Sequence, residues 1–558
     1  MEQRSLLIIG LLLVSFLLWT EWEQAQLPQS DVSNSLASAS VNSGVPSVGS
    51  SLPTVQSTEN NDVPIASSDI VPQVAPVISQ SANIITVRTD TLDIVIDLVG
   101  GDVIQADLIK YPVTLNSDDS YKLLKPNTNV LYIAQSGLVG KDGPDASAQG
   151  RPLYIASQSN YELDGDSLIV PLTWASNDGV SITKTFSFSR GEHLVDVSYT
   201  IENNSDRRLQ LAQFAQLKQT TAEQSGGNMF MPIYRGGAYS TADNKYQKFH
   251  FSDFDDEKLN VSTIGGWAGM IEHYFVSAWV PPQEQTNKLF SRLVDNQFAI
   301  IGYTGTPIAV DANDVGTLSS ELYIGPKDQA RLAEIAKGLD LTVDYGILWW
   351  LSQPLFSLLK FLHSLVGNWG VAIILITIIV KGAMYWLTKK QYESMAKMRN
   401  LQPKMQQLKD RFGDDRQKMS QAMMEMYKKE KVNPMGGCFP LLLQMPIFLA
   451  LYWVLLESVE LRHAGFALWI EDLSVADPYY VLPVLTGLSM YLLQKLQPMT
   501  ITDPLQQKIM QFMPVAMSVF FFFFPAGLVL YWLISNVITL IQAKMIYASM
   551  EKRGISSK

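Results

Sequence analysis

The only full charge well inside the apolar segment 368–387 is Lys381. An ionised side chain within a lipid bilayer is costly, and it marks either a charge in a water-filled cavity or an anchor that reaches back to the membrane surface. Lys389 and Lys390 mark the end of the segment, so a straight helix places Lys381 about 12 Å deeper. This depth leaves both interpretations open.

Several polar residues in apolar segments are candidates for the same cavity. Thr377 lies one helical turn before Lys381 and shares its face. Gln444 lies in the next apolar segment, and Ser535 and Asn536 lie in the last one. Each of them could instead form a hydrogen bond between helices, which is the commoner role of isolated polar residues in membrane spans.

Motifs for bond-making chemistry are absent from the sequence. The five histidines, at positions 193, 250, 273, 363 and 463, form no His-Glu-x-x-His pair. The chain also has no phosphate-binding Gly-Lys-Ser/Thr loop and no Gly-x-Ser-x-Gly elbow. We therefore predict no enzymatic activity, no metal site and no cofactor, and we expect no energy-coupled pump within this chain.

Apolar segments predict the helices that must position these residues. Five spans are expected after the polar half of the chain, at 368–387, 439–456, 479–496, 509–524 and 528–547. The last two are separated by Pro525, Ala526 and Gly527, which forces them to be antiparallel neighbours. The five spans together form a predicted helical core at 367–550.

A further apolar run, 6–19, follows Arg4 and ends near Trp19 and Trp22. It has no small-residue cleavage site after it, so we interpret residues 1–23 as an uncleaved signal-anchor helix. A cleaved secretory signal is the alternative, because the run is short for a full span.

Charge divides the chain into two unlike halves. Residues 23–344 hold 20 Lys and Arg against 38 Asp and Glu, a balance of −18, whereas the rest holds 22 against 15, a balance of +7. The loop 389–431 holds 12 basic and 6 acidic residues, and the loop 457–477 holds one Arg and five acidic residues. Because basic loops stay on the cytoplasmic side, we place 389–431 and the basic tail 551–558 in the cytoplasm and the acidic half outside. The single cysteine, Cys438, excludes an intrachain disulfide.

The acidic half consists of a linker and a β-domain. Residues 24–81 are rich in Ser, Val, Pro, Asn and Gln, which predicts a flexible tether because little apolar surface can be buried. Residues 82–340 contain alternating stretches such as 92–97 and 181–188, broken by Gly, Asp and Asn. This pattern is typical of an antiparallel β-sandwich.

An amphipathic helix is predicted at 345–366, between the β-domain and the first span of the core. Leu355, Leu358, Leu359 and Leu362 form one stripe at helical spacing. We expect this helix to lie in the outer membrane interface. A helix packed on the sandwich would show the same periodicity.

The basic loop carries a methionine-rich helical hairpin at 389–432. Apolar residues recur every three or four positions on both sides of a turn near Gly413. We expect contacts with partners from Met395, Met398, Met405, Leu408, Met419 and Met423. Methionine stripes make adaptable contacts with varied apolar partners, although a two-helix coiled coil that holds only itself together would look alike.

The core resembles the Gram-negative form of the YidC membrane protein insertases. The resemblance rests on Asn-Pro-Met-Gly-Gly-Cys-Phe-Pro at 433–440, Gln-Met-Pro-Ile-Phe at 444–448, Asp-Pro at 503–504 and Pro-Ala-Gly-Leu at 525–528. The order and lengths of the anchor, tether, outer domain, interfacial helix and core extend it over the whole chain.

This resemblance implies a five-helix core around a hydrophilic groove that opens to the cytoplasm and to lipid. A cation in the groove would attract polar or acidic segments of a nascent protein. The family usually has Arg where this chain has Lys381, so charge is kept but bidentate geometry is lost. A groove tyrosine of close relatives falls on Trp532, with Tyr531 beside it.

The resemblance also implies partners and a path for the client protein. Apolar parts of the client would leave along the third and fifth spans, counting the anchor first, past Met445, Phe448, Phe520 and Phe521. Implied partners are nascent membrane proteins, the Sec translocon with its accessory subunits, the lipid bilayer, and ribosome and signal-recognition components at the hairpin and tail. The implied location is the bacterial inner membrane, with the large domain in the periplasm.

Two other functions fit the residues as well. A small-solute transporter would explain Lys381 and the polar residues near mid-membrane. A structural scaffold of a secretion complex would need neither. The outer domain resembles the galactose-mutarotase supersandwich, which raises a sugar-binding interpretation without an identifiable acid or base pair.

Overall fold

A computed structural model describes residues 83–127, 130–147, 150–222, 233–256, 258–412, 415–430, 439–496 and 504–552. The predicted anchor and tether lie outside the described residues. So do the turn at 413–414, most of the family motif at 433–440, and tail residues 553–558.

The first part of the described chain is a β-domain of two sheets that share a core. In chain order the strands are β1 Ile84–Arg88, β2 Leu92–Asp97, β3 Asp102–Pro112, β4 Ser120–Asn127, β5 Val130–Val139, β6 Ile155–Ala156, β7 Asn160–Glu162, β8 Ser167–Ala175, β9 Val180–Ser189, β10 Leu194–Asn203, β11 Leu209–Thr220, β12 Gly236–Ser240, β13 Gln247–Phe249, β14 Asn260–Ile264, β15 Trp267–Ile271, β16 Phe275–Val280, β17 Thr286–Val294, β18 Phe298–Thr304, β19 Ile308–Val310 and β20 Asp314–Pro326.

Strand order follows from long-range antiparallel pairing. One sheet runs β14-β17-β18-β11-β5-β4-β3-β2-β1-β7, with β19 beside β11. The other runs β13-β12-β15-β16-β20-β10-β9-β8-β6. The predicted all-β domain is confirmed, with the difference that β1 and β7 pair in parallel.

Alternation of side chains explains why these segments are strands. In β2, Leu92, Ile94 and Ile96 are buried and the residues between them are half-buried. The same alternation in β9 buries Lys184, whose Nζ donates to the carbonyl oxygens of Gly100 at 3.1 Å and Gly101 at 2.7 Å. Burial lowers the pKa of Lys184 to about 7.

The described chain after the last strand is mainly helical. One further short helix lies within the β-domain. The α-helices are α1 Asp253–Asp256, α2 Gln329–Ile335, α3 Trp349–Val366, α4 Trp369–Ala383, α5 Tyr385–Asn400, α6 Gln402–Phe412, α7 Arg416–Lys429, α8 Phe439–Glu457, α9 Val481–Leu496, α10 Pro504–Phe520 and α11 Ala526–Glu551.

All five predicted spans contain a helix, and the first of them is broken. α4 ends at Ala383, and α5 leaves it with a bend of 60°. Among the described residues, α11 alone is long and apolar enough to cross a membrane, or two crossings exist if α4 and α5 count as one. Shorter apolar stretches occur at Gln444–Glu457, Val481–Leu496 and Gln511–Phe523. The number of spans stays a prediction.

The first helix of the predicted hairpin is likewise two helices, separated at Leu401. α5 packs against α11, where Tyr392 and Ala396 share a buried cluster with Ile546 and Met550. α6 and α7 then pair with each other. The hairpin predicted at 389–432 therefore differs in its first part, because Met395 and Met398 belong to α5, which packs against α11 and not within the α6–α7 pair.

The buried face of α3 packs against α4 and α8, and not against the β-sheets. This face carries Phe356, Leu359 and Leu362. The exposed surface is mixed, with apolar side chains at Trp349, Trp350, Phe361 and Leu365 and polar ones at Ser357 and Ser364. Such a surface suits a membrane interface.

Contacts at one end of the helical core join it to the β-domain. Lys327 and Glu457 form an ion pair at 3.0 Å, and the Lys327 and Glu457 side chains are only 3% and 8% exposed. His273 Nε2 lies 3.1 Å from the carbonyl oxygen of Leu456. The turn before α11 reaches the same end, since the Ala526 N–H donates to the carbonyl of Val475 at 2.7 Å.

Candidate hydrophilic groove

Helix α4 places Lys381 in its last turn. The helix begins at the cap residue Asn368, whose side chain accepts a hydrogen bond from the Val371 N–H at 3.0 Å. A cation in the last turn also interacts favourably with the free carbonyl groups at a helix end. Because the helix bends directly after this turn, the depth expected from a straight helix does not apply. The neighbouring Gly382 is exposed, and a Cβ added there would meet no atom within 4 Å.

The ammonium of Lys381 faces a neutral amide from another helix. Its Nζ donates to Gln444 Oε1 on α8 at 3.3 Å, and the lysine side chain is half-buried. Within the described ranges, no carboxylate forms an ion pair with it. The sequence named both residues as candidates for one cavity, and the structure places their side chains within hydrogen-bond distance.

Helix α11 contributes two further polar groups to the surroundings of Lys381. Gln542 donates from Nε2 to the backbone carbonyl of Lys381 at 3.1 Å. Its Oε1 is buried without a hydrogen-bond partner. Tyr531, only 2% exposed, lies beside Gln444. A phenol therefore occupies this part of the core, one position before Trp532.

A second polar cluster joins α9 to α11. Asn536 Nδ2 donates to Ser489 Oγ at 2.9 Å, and Ser489 Oγ donates to the carbonyl of Thr486 at 2.7 Å. The Thr486 hydroxyl is buried without a hydrogen-bond partner. Asn536 was a candidate for the same cavity as Lys381, with a hydrogen bond between helices as the alternative, and the structure shows such a hydrogen bond to α9.

The other predicted groove residues turn towards backbone or aromatic neighbours. Thr377 is buried and donates to the Ile373 carbonyl of its own helix at 2.5 Å. Ser535 is buried. The Trp532 ring lies at 4.4 Å from the Phe448 ring between centroids. Thr377 and Ser535 are thus packed inside the core, and Trp532 is half-buried beside an aromatic side chain.

The predicted client path is partly exposed. Met445 on α8 is 47% exposed, and Phe448 and Phe520 are half-buried. Phe521 is only 2% exposed, because α10 gives way to the 3₁₀ turn Phe521–Phe523 and this turns its ring towards Trp532 at 5.0 Å. The prediction of Phe521 as a contact surface is therefore wrong.

The hairpin of α6 and α7 has a half-buried methionine seam. It contains Met405, Leu408, Met419 and Met423. Tyr427 approaches Met405 at 3.8 Å between Oη and Sδ. Asp415 caps α7 by accepting from the Lys418 N–H at 3.1 Å. Met395 and Met398 lie on α5 and are half-buried there.

Three polar residues of these clusters were not predicted from the sequence, namely Gln542, Ser489 and Thr486. Gln542 lies seven residues after Ser535, which places both on one face of a helix. Thr486 and Ser489 are three residues apart, which also places them on one face. This spacing was a usable signal. The structure groups no three His, Cys, Asp or Glu side chains as a metal site in the ranges it describes.

Family models match nearly all of the described chain. The model described as YidC periplasmic domain matches residues 84–358, and the model described as 60Kd inner membrane protein matches residues 361–553. The membrane protein insertase YidC of Pseudoalteromonas atlantica is 61% identical over 557 residues, covering 100% of both chains. The chain belongs to the YidC family. A YidC of Shewanella pealeana is 52% identical and covers 99% of both chains.

Solved structures of the YidC family and of sugar epimerase relatives resemble this chain more distantly. An active YidC insertase crystal structure with its first transmembrane domain resolved is 18% identical, with a TM-score of 0.37, and covers 84% of this chain and 93% of its own. A galactose mutarotase-like protein from Lactobacillus casei is 9% identical, with a TM-score of 0.32, and covers 43% of this chain and 100% of its own.

Proposed function

We propose that this chain is a membrane protein insertase and chaperone, which inserts and folds nascent proteins in the inner membrane through the groove beside Lys381. The observation that carries the proposal is the environment of its ammonium group. Within the described residues it meets a neutral amide at 3.3 Å and no carboxylate, in a helical core whose packing is mainly apolar. Such a charge attracts an acidic or polar segment of a client.

The physical contribution of the groove is a lower desolvation barrier. A polar group moved into hydrocarbon without a partner costs about 2–7 kcal/mol. Lys381, Gln444 and Gln542 offer hydrogen-bond partners along part of the way, which shortens the apolar distance that a polar segment must cross. Burial of the client's own apolar helix then drives insertion, at about 0.8 kcal/mol per CH₂ group.

The proposed topology follows from the charges and from the contacts at the junction. Five spans, 367–550, follow an amino-terminal anchor, 1–23, and a tether, 24–81. The β-domain lies in the periplasm, and the hairpin 389–432 and the tail 551–558 lie in the cytoplasm. The contacts of the β-domain with the end of α8 support one common periplasmic end.

Apolar parts of the client leave between α8 and α10. Exposed side chains offer a surface on both helices, with Met445 and Leu449 one turn apart on α8 and Phe512 and Val519 on α10. Phe448 and Phe520 border this surface. Phe521 supports it from within.

The hairpin is the proposed contact for the ribosome and signal-recognition components. Its outer surface is basic, which suits ribosomal RNA or anionic lipid. Met424, next to the seam residue Met423, is 62% exposed and offers a surface to an apolar partner. The Sec translocon is a proposed partner in the membrane. The chain acts on its clients by binding, without forming or breaking covalent bonds.

Photocrosslinking tests the proposal directly. A photoreactive amino acid at position 444 should form adducts with a ribosome-bound, single-span client. The same residue at position 357, an exposed site on α3, should form few adducts. Absence of adducts at 444 with normal expression would contradict the groove.

Reconstitution separates insertion from the two other functions. The purified chain in liposomes should insert the client by itself. A scaffold would leave insertion at background level, and a small-solute transporter would move a solute across the same liposomes without inserting the client.

A further inference from the structure

The loop 458–480, between α8 and α9, lies at the end of the helical core that meets the β-domain. Its backbone is held by the core. The Asn368 side chain, at the start of α4, donates to the Phe466 carbonyl at 2.9 Å, and the first N–H groups of α11 donate to two further loop carbonyls. The Phe466 ring packs directly on Gly370, where an added Cβ would collide with it. The core therefore determines where the tip of this loop lies.

The tip of the loop is apolar and exposed. Residues 464–470 contain no charged side chain, and charged residues flank them on both sides. The two arms of the tip meet where the Phe466 N–H donates to the Ile470 carbonyl at 2.9 Å. Leu468, at the turn between them, is 87% exposed. Exposure of so much apolar surface to water is unfavourable.

The backbone of Leu468 is unfavourable as well, because it is left-handed with a φ of 58°. Bulky side chains rarely adopt this conformation, whereas Asn and Asp adopt it several-fold more often. The β-domain follows this preference. Its described non-glycine residues with positive φ are Asn116, Asp295, Asn296 and Asn313. A leucine at position 468 thus has two disadvantages in water, and an asparagine would avoid both.

The surroundings of the tip indicate that lipid covers it. Asn368, which binds the loop, follows the end of α3 by two residues. That end of α3 exposes Phe361, Leu365 and Val366. Apolar side chains on this helix and on the loop tip together form a surface that suits the boundary between lipid headgroups and acyl chains, with the flanking charges of the loop in water.

We propose that the tip 464–470 is seated in the outer leaflet of the bilayer, with Leu468 in contact with phospholipid acyl chains. This inference rests on the topology proposed above, which places this end of the core on the periplasmic side. The contact fixes the depth of the loop and, through Asn368, the depth of the start of α4, the helix that carries Lys381.

Accessibility of a spin label in lipid nanodiscs tests the contact. Leu468→Cys and Gly165→Cys are made in a Cys438→Ser background, and each carries a nitroxide. Gly165 lies in an exposed turn of the β-domain, with no atom within 4 Å of an added Cβ, and is the comparison in water. Oxygen concentrates in hydrocarbon and a nickel chelate stays in water, so the ratio of oxygen to nickel collisions should be at least about tenfold higher at 468 than at 165.

Two outcomes of this measurement would overturn the inference. Equal ratios at 468 and 165 would place the tip in water. Low access of both oxygen and nickel would place it against protein, either a client or a second copy of this chain. Insertion of a client by the parent chain is measured separately in liposomes. Absent insertion would contradict the proposed function without changing the collision ratio, so the two failures are distinguishable.

Leu468→Asn separates lipid contact from backbone strain. Asparagine relieves the strain, so in water this variant should slow exchange of the Ile470 N–H, which donates to the Ala467 carbonyl at 3.1 Å. Loss of the leucine from hydrocarbon should instead make this exchange at least about tenfold faster in nanodiscs. Asn313→Leu is the reciprocal control in the β-domain, where strain without lipid should speed exchange of the N–H that donates to the Asn203 carbonyl at 2.7 Å. An Ile470 exchange rate at or below the parent rate in Leu468→Asn would overturn the inference.

Discussion

Removing one partner of the Lys327–Glu457 pair is expected to loosen the junction between the β-domain and α8. Both side chains are almost fully buried, and the ammonium and carboxylate lie 3.0 Å apart. Lys327→Met or Glu457→Leu leaves the other charge buried and unpaired, which costs about 3–5 kcal/mol. The double variant replaces the pair by apolar groups and should cost close to nothing.

Hydrogen exchange on the full chain in nanodiscs measures this loss locally. The Lys327 N–H donates to the Tyr274 carbonyl at 2.9 Å, so its protection reports whether the junction is closed. A cost of 3–5 kcal/mol corresponds to roughly 100- to 4,000-fold faster exchange in each single variant, at about 1.4 kcal/mol per tenfold. The double variant should return close to the parent rate.

The exposed pair Lys404–Glu430 is the control, at 2.6 Å with 56% and 34% side-chain exposure. Lys404→Met should cost no more than about 1 kcal/mol. The free-energy cost in the double variant could instead equal the sum of the costs in the two single variants. The two charges would then act independently, and the reasoning about the junction would fail.

Three further predictions follow from single sites. Burial lowers the pKa of His193 to about 4, so the neutral ring stabilises the fold above its ordinary pKa of about 6.5 and this contribution is lost as pH falls from 6.5 towards 4. His193→Phe should therefore reduce the loss of stability between pH 7 and pH 5 by about 1–2 kcal/mol in chemical denaturation, and an unchanged loss would contradict the assignment. A photocrosslinker at position 445 should form adducts with the client, and one at position 521 should not. Phe521→Ala should lower the free energy of unfolding by about 3–5 kcal/mol, because the ring is buried. Client adducts from position 521 would contradict the inward placement of Phe521. Asn536→Leu should remove the hydrogen bond that the Ser489 hydroxyl accepts and lower the free energy of unfolding by about 1–3 kcal/mol, without a loss of insertion. Loss of insertion with the parent's stability would instead show that Asn536 acts in the groove.

Residue types and spacing were enough to predict the all-β domain and the helical segments. They also named Lys381 and Gln444 as candidates for one cavity, but not the hydrogen bond between them. The buried and exposed residues of β2 and β9 alternate with the two-residue period of a strand, which is visible in the sequence. The length of each apolar run likewise indicates a helix. The bend after α4 could not be predicted, because the apolar run continues across it without a proline. Gly382 lowers the local helix propensity but does not determine the direction of a bend.

Contacts between distant segments were beyond the sequence. Gln542 reaches the Lys381 backbone across 161 residues, and its partner is fixed by how α4 and α11 pack. The five consecutive phenylalanines at 520–524 have no period, so the sequence could not separate buried Phe521 from Phe523, which is 52% exposed.

Charge reversal at Lys381 tests the central claim most directly. The purified chain, reconstituted in liposomes, is given a single-span client with an acidic amino-terminal segment, and insertion is measured by protease protection. Lys381→Glu and Lys381→Leu should reduce insertion about tenfold or more, since one contact with a charged group contributes about 1.5–3 kcal/mol, and Lys381→Arg should retain it. Lys495→Glu, which reverses an exposed lysine in the last turn of α9, should insert like the parent chain. Parent-level insertion by Lys381→Glu, with the fold intact, would contradict the account.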